Sequence, residues 1–168
     1  MGAESLLLFA DHVLTQAASG DEDAERLLRT RQMVFIPCSN PDGYEYNRQF
    51  APGGGGMWRK NRRNNGGGAW GVDLNRNYDD HWGMGPLCSA ALQCLPTYRG
   101  EGPASEPEVR ATQDYMAEIA TRHTVLGALD CKLKLLHSSG TVLLLAPPSA
   151  TAAANLSLQK ARITLTVR

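Results

Sequence analysis

The sequence predicts an α/β fold, a partial three-layer α/β/α arrangement around a central mixed sheet, and three observations carry that expectation. An amphipathic segment opens the chain, with Leu6, Ala10, Val13, Leu14 and Ala17 at helical spacing and Gly20 as a stop signal. A short apolar run from Met33 to Pro37 follows and reads as a buried strand. A capped helix then leads into two further apolar runs ended by Pro147-Pro148. The order of helix, strand, loop, helix, strand, strand suits stacked layers of helix and sheet.

Each element has its own local reason. The first helix is expected over residues 3–18, and the strand at 33–37 ends in Asn40-Pro41-Asp42-Gly43, which reads as a turn. From Tyr44 to Gly102 the chain carries Gly53 to Gly56, Gly66 to Gly68 and three tryptophans, with little periodicity. A long irregular stretch inside a domain points to function or disorder. Ser105-Glu106-Pro107-Glu108 reads as a capping box with proline in the first turn, followed by Val109, Thr112, Met116, Ile119 and Ala120 on one helix face up to Arg122. Strands are expected over 125–136 and 142–146, separated by Ser138-Ser139-Gly140. Residues 1–148 read as one domain and 149–168 as a divergent tail, in which Ile163, Leu165 and Val167 alternate as a weak strand.

Bulk properties narrow the classes of function. With 168 residues, 42% of them hydrophobic, the chain is long enough for one globular domain with a sizeable core. Seventeen basic residues balance seventeen acidic ones, so no overall field draws it to nucleic acid or to an anionic membrane. No apolar run reaches the roughly 20 residues of a membrane span. Glu4 and Asp11 fall where a signal peptide is basic and then apolar, so no secretory leader is read in this chain. The four cysteines, Cys38, Cys88, Cys94 and Cys131, lack zinc-finger spacing; Cys88 and Cys94 are a possible pair in an oxidising compartment.

Two clusters and one histidine carry the chemistry. In Gly71 to Tyr78, an acid, amides and an arginine crowd together at Asp73, Asn75, Arg76 and Asn77. Neighbouring side chains on a strand diverge, so their convergence requires a turn. A guanidinium beside amides suits a carboxylate, gripped bidentately; the competing reading is a polar turn capped by Asp73 and Asn75. Met57 to Arg63 is basic and aromatic, which fits a solvated loop or a single-stranded nucleic-acid contact through Trp58 and Trp70. His137 ends an apolar run, where side chains emerge at a sheet end, although a lone histidine equally suits a surface or hydrogen-bonded core position.

Asn40-Pro41-Asp42-Gly43-Tyr44, Met57 to Arg62, Gly71 to Tyr78, Tyr98-Arg99-Gly100 and Ser105 to Glu108 together resemble the zinc metallocarboxypeptidases of the A/B type, in order and in spacing. The resemblance runs from about Glu4 to Pro147. It implies a zinc-peptidase-like fold and a hydrolase that cleaves the C-terminal bond of peptides or proteins. It further implies that Asn75 and Arg76 grip the terminal carboxylate and that Arg59 stabilises the oxyanion. His137 becomes a zinc ligand, and Asp73 a partner of a zinc-bound histidine.

The same resemblance predicts a chain incomplete at both ends. The family's H-x-x-E zinc motif is not found ahead of the first helix, and residues 151–168 supply neither its downstream tyrosine nor its catalytic glutamate. The alternative expectation is an inactive module that binds peptide C-termini without zinc. Peptide C-termini are the expected partners on both readings; nucleic acid and membrane are not.

Overall fold

The computed structural model describes residues 2–53, 56–84, 90–132, 139–145 and 163–165. The elements run α1 (Gly2–Ala18), α2 (Glu22–Thr30), β1 (Gln32–Ile36), α3 (Pro41–Phe50), a 3-10 turn (Leu74–Arg76), α4 (Pro107–Arg122), β2 (Val125–Lys132), β3 (Ser139–Leu145) and β4 (Ile163–Leu165). The fold is α/β. Among the described residues, no helix is long and apolar enough to cross a membrane.

The described chain divides into two units. The first holds α1, α2, β1, the C-terminal part of α4 and the other strands. Its sheet has the order β2-β3-β1-β4 and is mixed: β1 runs antiparallel to β3 and parallel to β4, and β2 and β3 are antiparallel. Met33 pairs with Leu144 on one side of β1 and with Ile163 on the other.

The core of this unit follows from two periodicities. Leu6, Ala10 and Val13 recur every three or four residues and so share one face of α1. Met33 and Phe35 alternate onto one face of β1, and these five residues form one buried cluster flanked by Leu27 and Leu28 of α2. Val34 points to the opposite face yet is fully buried, so β1 is covered on both sides. That double burial is why the strand reads as an unbroken apolar run.

Three local readings are revised. Asn40-Pro41-Asp42-Gly43 does not merely turn the chain; it starts α3. Asn40 is the N-cap, its side-chain oxygen accepting from the Gly43 amide at 3.0 Å, and Pro41 takes the first helical turn, where its missing N–H is harmless. Helix α2, not expected from the sequence, carries no fully buried residue and only the apolar pair Leu27 and Leu28; it starts at the Asp21 cap, which accepts from the Ala24 amide at 2.8 Å. At α4 the carbonyl of Glu106 takes the first helical hydrogen bond, from Arg110, while the Ser105 hydroxyl donates to the Glu106 carboxylate instead of closing a capping box.

Phe35 is fully buried beside Phe9, their ring centroids 6.3 Å apart. Phe35→Ala is expected to destabilise the protein by about 3–5 kcal/mol, measured by chemical denaturation, because the vacated volume cannot collapse between sheet and helix.

Candidate functional site

The second unit, Asn40–Tyr115 among the described residues, contains most of the irregular chain. Helix α3 positions its first functional segment through two asparagines. Asn40 Nδ2 donates to the Lys60 carbonyl at 3.0 Å, and Asn47 both donates to the Trp58 carbonyl (2.7 Å) and accepts from the Trp58 amide (3.0 Å). Arg59 therefore sits between two clamped backbone positions. Gly43 makes this approach possible, since a Cβ there would lie 2.6 Å from the Lys60 carbonyl oxygen.

The next segment folds back alongside. The Asn61 amide donates to the Val72 carbonyl at 2.9 Å, the Gly71 amide to the Arg63 carbonyl at 2.7 Å, and Asn64 bridges Trp70. Gly71 has φ +76°, and a side chain there would collide with the Asn61 carbonyl, so both its conformation and its space demand glycine. This pairing brings Asp73 opposite Arg59.

Asp73 is buried, with its side chain only 3% exposed, and its Oδ2 accepts from Arg59 Nη2 at 2.5 Å. Oδ1 caps the 3-10 turn by accepting from the Asn75 amide at 3.2 Å. The turn swings Arg76 back over the same carboxylate, with Nε 3.8 Å from Oδ2. The convergence that adjacent strand positions forbid is thus achieved by one turn of tight helix. The Arg76 Nε atom is buried and has no hydrogen-bond partner among the described residues, while Asn75 beside it is exposed.

Of the residues singled out in the sequence, the structure gathers Arg59, Asp73, Asn75 and Arg76. His137 lies outside the described residues, as does Cys88. Asp73 carries a duty not anticipated in the sequence, holding two guanidinium groups.

A second set of residues falls inside the clusters and cap read in the sequence, but its part in holding the loops together was missed because each looks like an ordinary loop polar group. Asn77, fully buried, donates to the carbonyls of Arg99 (2.9 Å) and Gly102 (3.1 Å) and to Ser105 Oγ (2.9 Å), and accepts from the Glu106 amide (3.0 Å). Asn61 donates to Glu106 Oε2 at 2.7 Å and accepts from the Val72 amide at 2.8 Å. Arg63 completes the cluster at 2.9 Å from Glu106 Oε1. Only the run of asparagines and arginines from Lys60 to Asn65 hinted at it.

Burial alone would push the Glu106 carboxyl up, but hydrogen bonds from Asn61, Ser105 and Arg63 outweigh it and hold its pKa below the ordinary value. Glu108 has the opposite balance: burial raises it, and one of its oxygens has no partner.

The chain belongs to the zinc carboxypeptidase family, Peptidase_M14, which matches residues 1–160. It is 35% identical over 111 residues to a metallocarboxypeptidase A-like protein of Trichophyton verrucosum, covering 66% of this chain and 25% of that one. It is 38% identical over 114 residues to carboxypeptidase B2 of Rattus norvegicus, covering 61% and 24%. Among solved structures, bovine thrombin-activatable fibrinolysis inhibitor in complex with tick carboxypeptidase inhibitor is 37% identical, with a TM-score of 0.43 over 51% of this chain and 27% of that one. The match thus spans about a quarter of the length of these curated relatives.

Family membership implies zinc as the metal. Among the described residues, no three His, Cys, Asp or Glu side chains come together to hold one. The one acid of the arginine cluster, Asp73, already binds Arg59 and the Asn75 amide. The described residues alone do not fit a zinc ion.

The carboxyl shifts set a pH test. Glu106 titrates below 4.5 in the folded state, so its contribution to stability is complete above about 4.5 and is lost as pH falls through the folded pKa. Glu106→Gln is expected to cost about 2–3 kcal/mol at pH 7, with the difference from wild type narrowing below pH 4.5 in denaturation experiments. Glu108, titrating above 4.5, stabilises the fold when protonated and loses that contribution as pH rises through its folded pKa, so Glu108→Gln is expected to be neutral or stabilising at pH 7.

Proposed function

We propose that this chain is the carboxylate-recognising part of a zinc metallocarboxypeptidase that hydrolyses the C-terminal bond of peptides or proteins. The observation that carries the reading is the pair at the tight turn: Arg76, which lies against Asp73 yet makes no hydrogen bond among the described residues, beside the exposed Asn75. A peptide's terminal carboxylate supplies the acceptors that this guanidinium lacks, and the amide adds a further donor. Asp73 lies against both arginines and restricts their orientation, so little ordering remains to be done when the ligand arrives.

Arg59, locked by Asp73 and by the clamped backbone on either side, is the group placed to stabilise charge developing on a scissile carbonyl oxygen. His137 is the zinc ligand this reading requires. Asp73, which the resemblance assigns to a metal-bound histidine, already carries bonds from Arg59 and Asn75, so an imidazole partner shares that carboxylate with them. The finer fold, a partial three-layer zinc-peptidase domain, is part of the same proposal and is supported by the burial of both faces of β1.

Titration calorimetry with a peptide bearing a free C-terminus, and with its amidated twin, tests the reading. Arg76→Ala is expected to weaken the free-carboxylate peptide about 10- to 100-fold and to leave the amidated peptide unchanged. Equal affinity of wild type and variant for the free peptide contradicts it. Tight binding without release of the terminal residue identifies a binding module instead of an active peptidase.

A further inference from the structure

A separate feature of the second unit lies in the segment that reads as a basic, aromatic loop. The Arg62 guanidinium carbon sits 3.8 Å from the ring centre of Tyr46, 4.6 Å from that of Trp58 and 4.9 Å from that of Trp70. Three rings therefore cage one cation. Stacking covers the faces of a guanidinium and leaves its N–H donors around the edge. Among the described residues, Arg62 makes no hydrogen bond and no ion pair with those donors.

Arg62 lines a cavity of about 470 Å³, together with Tyr46, Trp58, Trp70, Arg59 and Lys60. No aspartate or glutamate is among its described lining residues. The charge of Arg59 is answered by Asp73, but Lys60, which is 5% exposed, donates only to the neutral carbonyl of Gln93, at 3.0 Å. Between these aromatic walls Arg62 has no acidic partner among the described residues, and Lys60 has no hydrogen bond to an acid and feels Asp73 only through its longer-range field. Two positive charges in a partly dry recess favour an anion far more than the same charges in open water.

We propose that this cavity is an oxyanion-binding site anchored on Arg62, taking a carboxylate, phosphate or sulfate group carried on a flat or apolar body. The guanidinium edge recognises two oxygens of the anion in its plane, Lys60 adds charge, and Trp58 and Trp70 pack the ligand's apolar part. The cage fixes the Arg62 rotamer before the ligand binds, which reduces the entropy lost on binding. The site borders Arg59 but includes neither Asn75 nor Arg76, and it does not depend on hydrolysis.

Intrinsic tryptophan fluorescence of the full chain, titrated with inorganic phosphate and separately with an N-acetylated, C-amidated acidic peptide, tests the proposal. Saturable change with either probe is expected; phosphate alone marks a free-oxyanion site, and the peptide a site for acidic side chains. Arg62→Gln is expected to weaken the responding probe about tenfold or more, while Arg76→Ala leaves it intact and so separates the two sites. Should Arg62→Gln fail to fold, phosphate protection of Arg62 from phenylglyoxal in the wild-type chain, with exposed Arg110 as the unprotected reference, gives the same answer. No saturable response to either probe, loss in Arg76→Ala equal to that in Arg62→Gln, or equal modification of Arg62 with and without phosphate overturns it.

Discussion

Among the described residues between Gly56 and Ser105 there is almost no regular structure, so buried backbone groups there must find partners among side chains. Glu106 is the constraint on which that solution rests. It is 1% exposed and binds Asn61, Arg63 and Ser105, while its own amide is held by Asn77. Through Asn61 the same carboxylate reaches the pairing of residues 61 and 72, and that pairing sets Asp73 opposite Arg59. A charge this deep is tolerable only because its hydrogen bonds are satisfied; removing Arg63 takes away its opposite charge and leaves only neutral donors around it.

The site is therefore a device of fixed backbone and shared charge. Two asparagines on α3 fix the positions flanking Arg59, one glycine allows Lys60 to pass close to the helix, and one buried carboxylate holds Arg59 with Arg76 nearby. Such an arrangement presents guanidinium donors with little freedom left to lose, the condition for recognising a small carboxylate tightly. The aromatic cage around Arg62 applies the same logic on the neighbouring face of this segment, with π stacking in place of an ion pair.

What the sequence made legible follows from the range of each interaction. Helix α1, strand β1 and helix α4 were readable because their apolar spacing reports burial directly. Arg59, Asn75 and Arg76 were picked out by motif, and the required turn after Asp73 is present. Helix α3 was hidden because Asn-Pro-Asp-Gly serves turns and helix starts alike, and its glycine is there for Lys60, a residue distant in sequence. Asn61, Asn77 and Glu106 were hidden for a stronger reason: their partners lie up to 45 residues away, and no periodicity records such a contact.

On the proposed function, Asp73 organises the arginines that meet the ligand. A double-mutant cycle between Asp73→Asn and Arg76→Ala, read as affinity for a peptide with a free C-terminus, measures it directly. A coupling of about 1 kcal/mol or more is expected, since once Asp73 no longer holds it, Arg76 has less to lose. Additive effects, agreeing within about 0.3–0.5 kcal/mol, would contradict it.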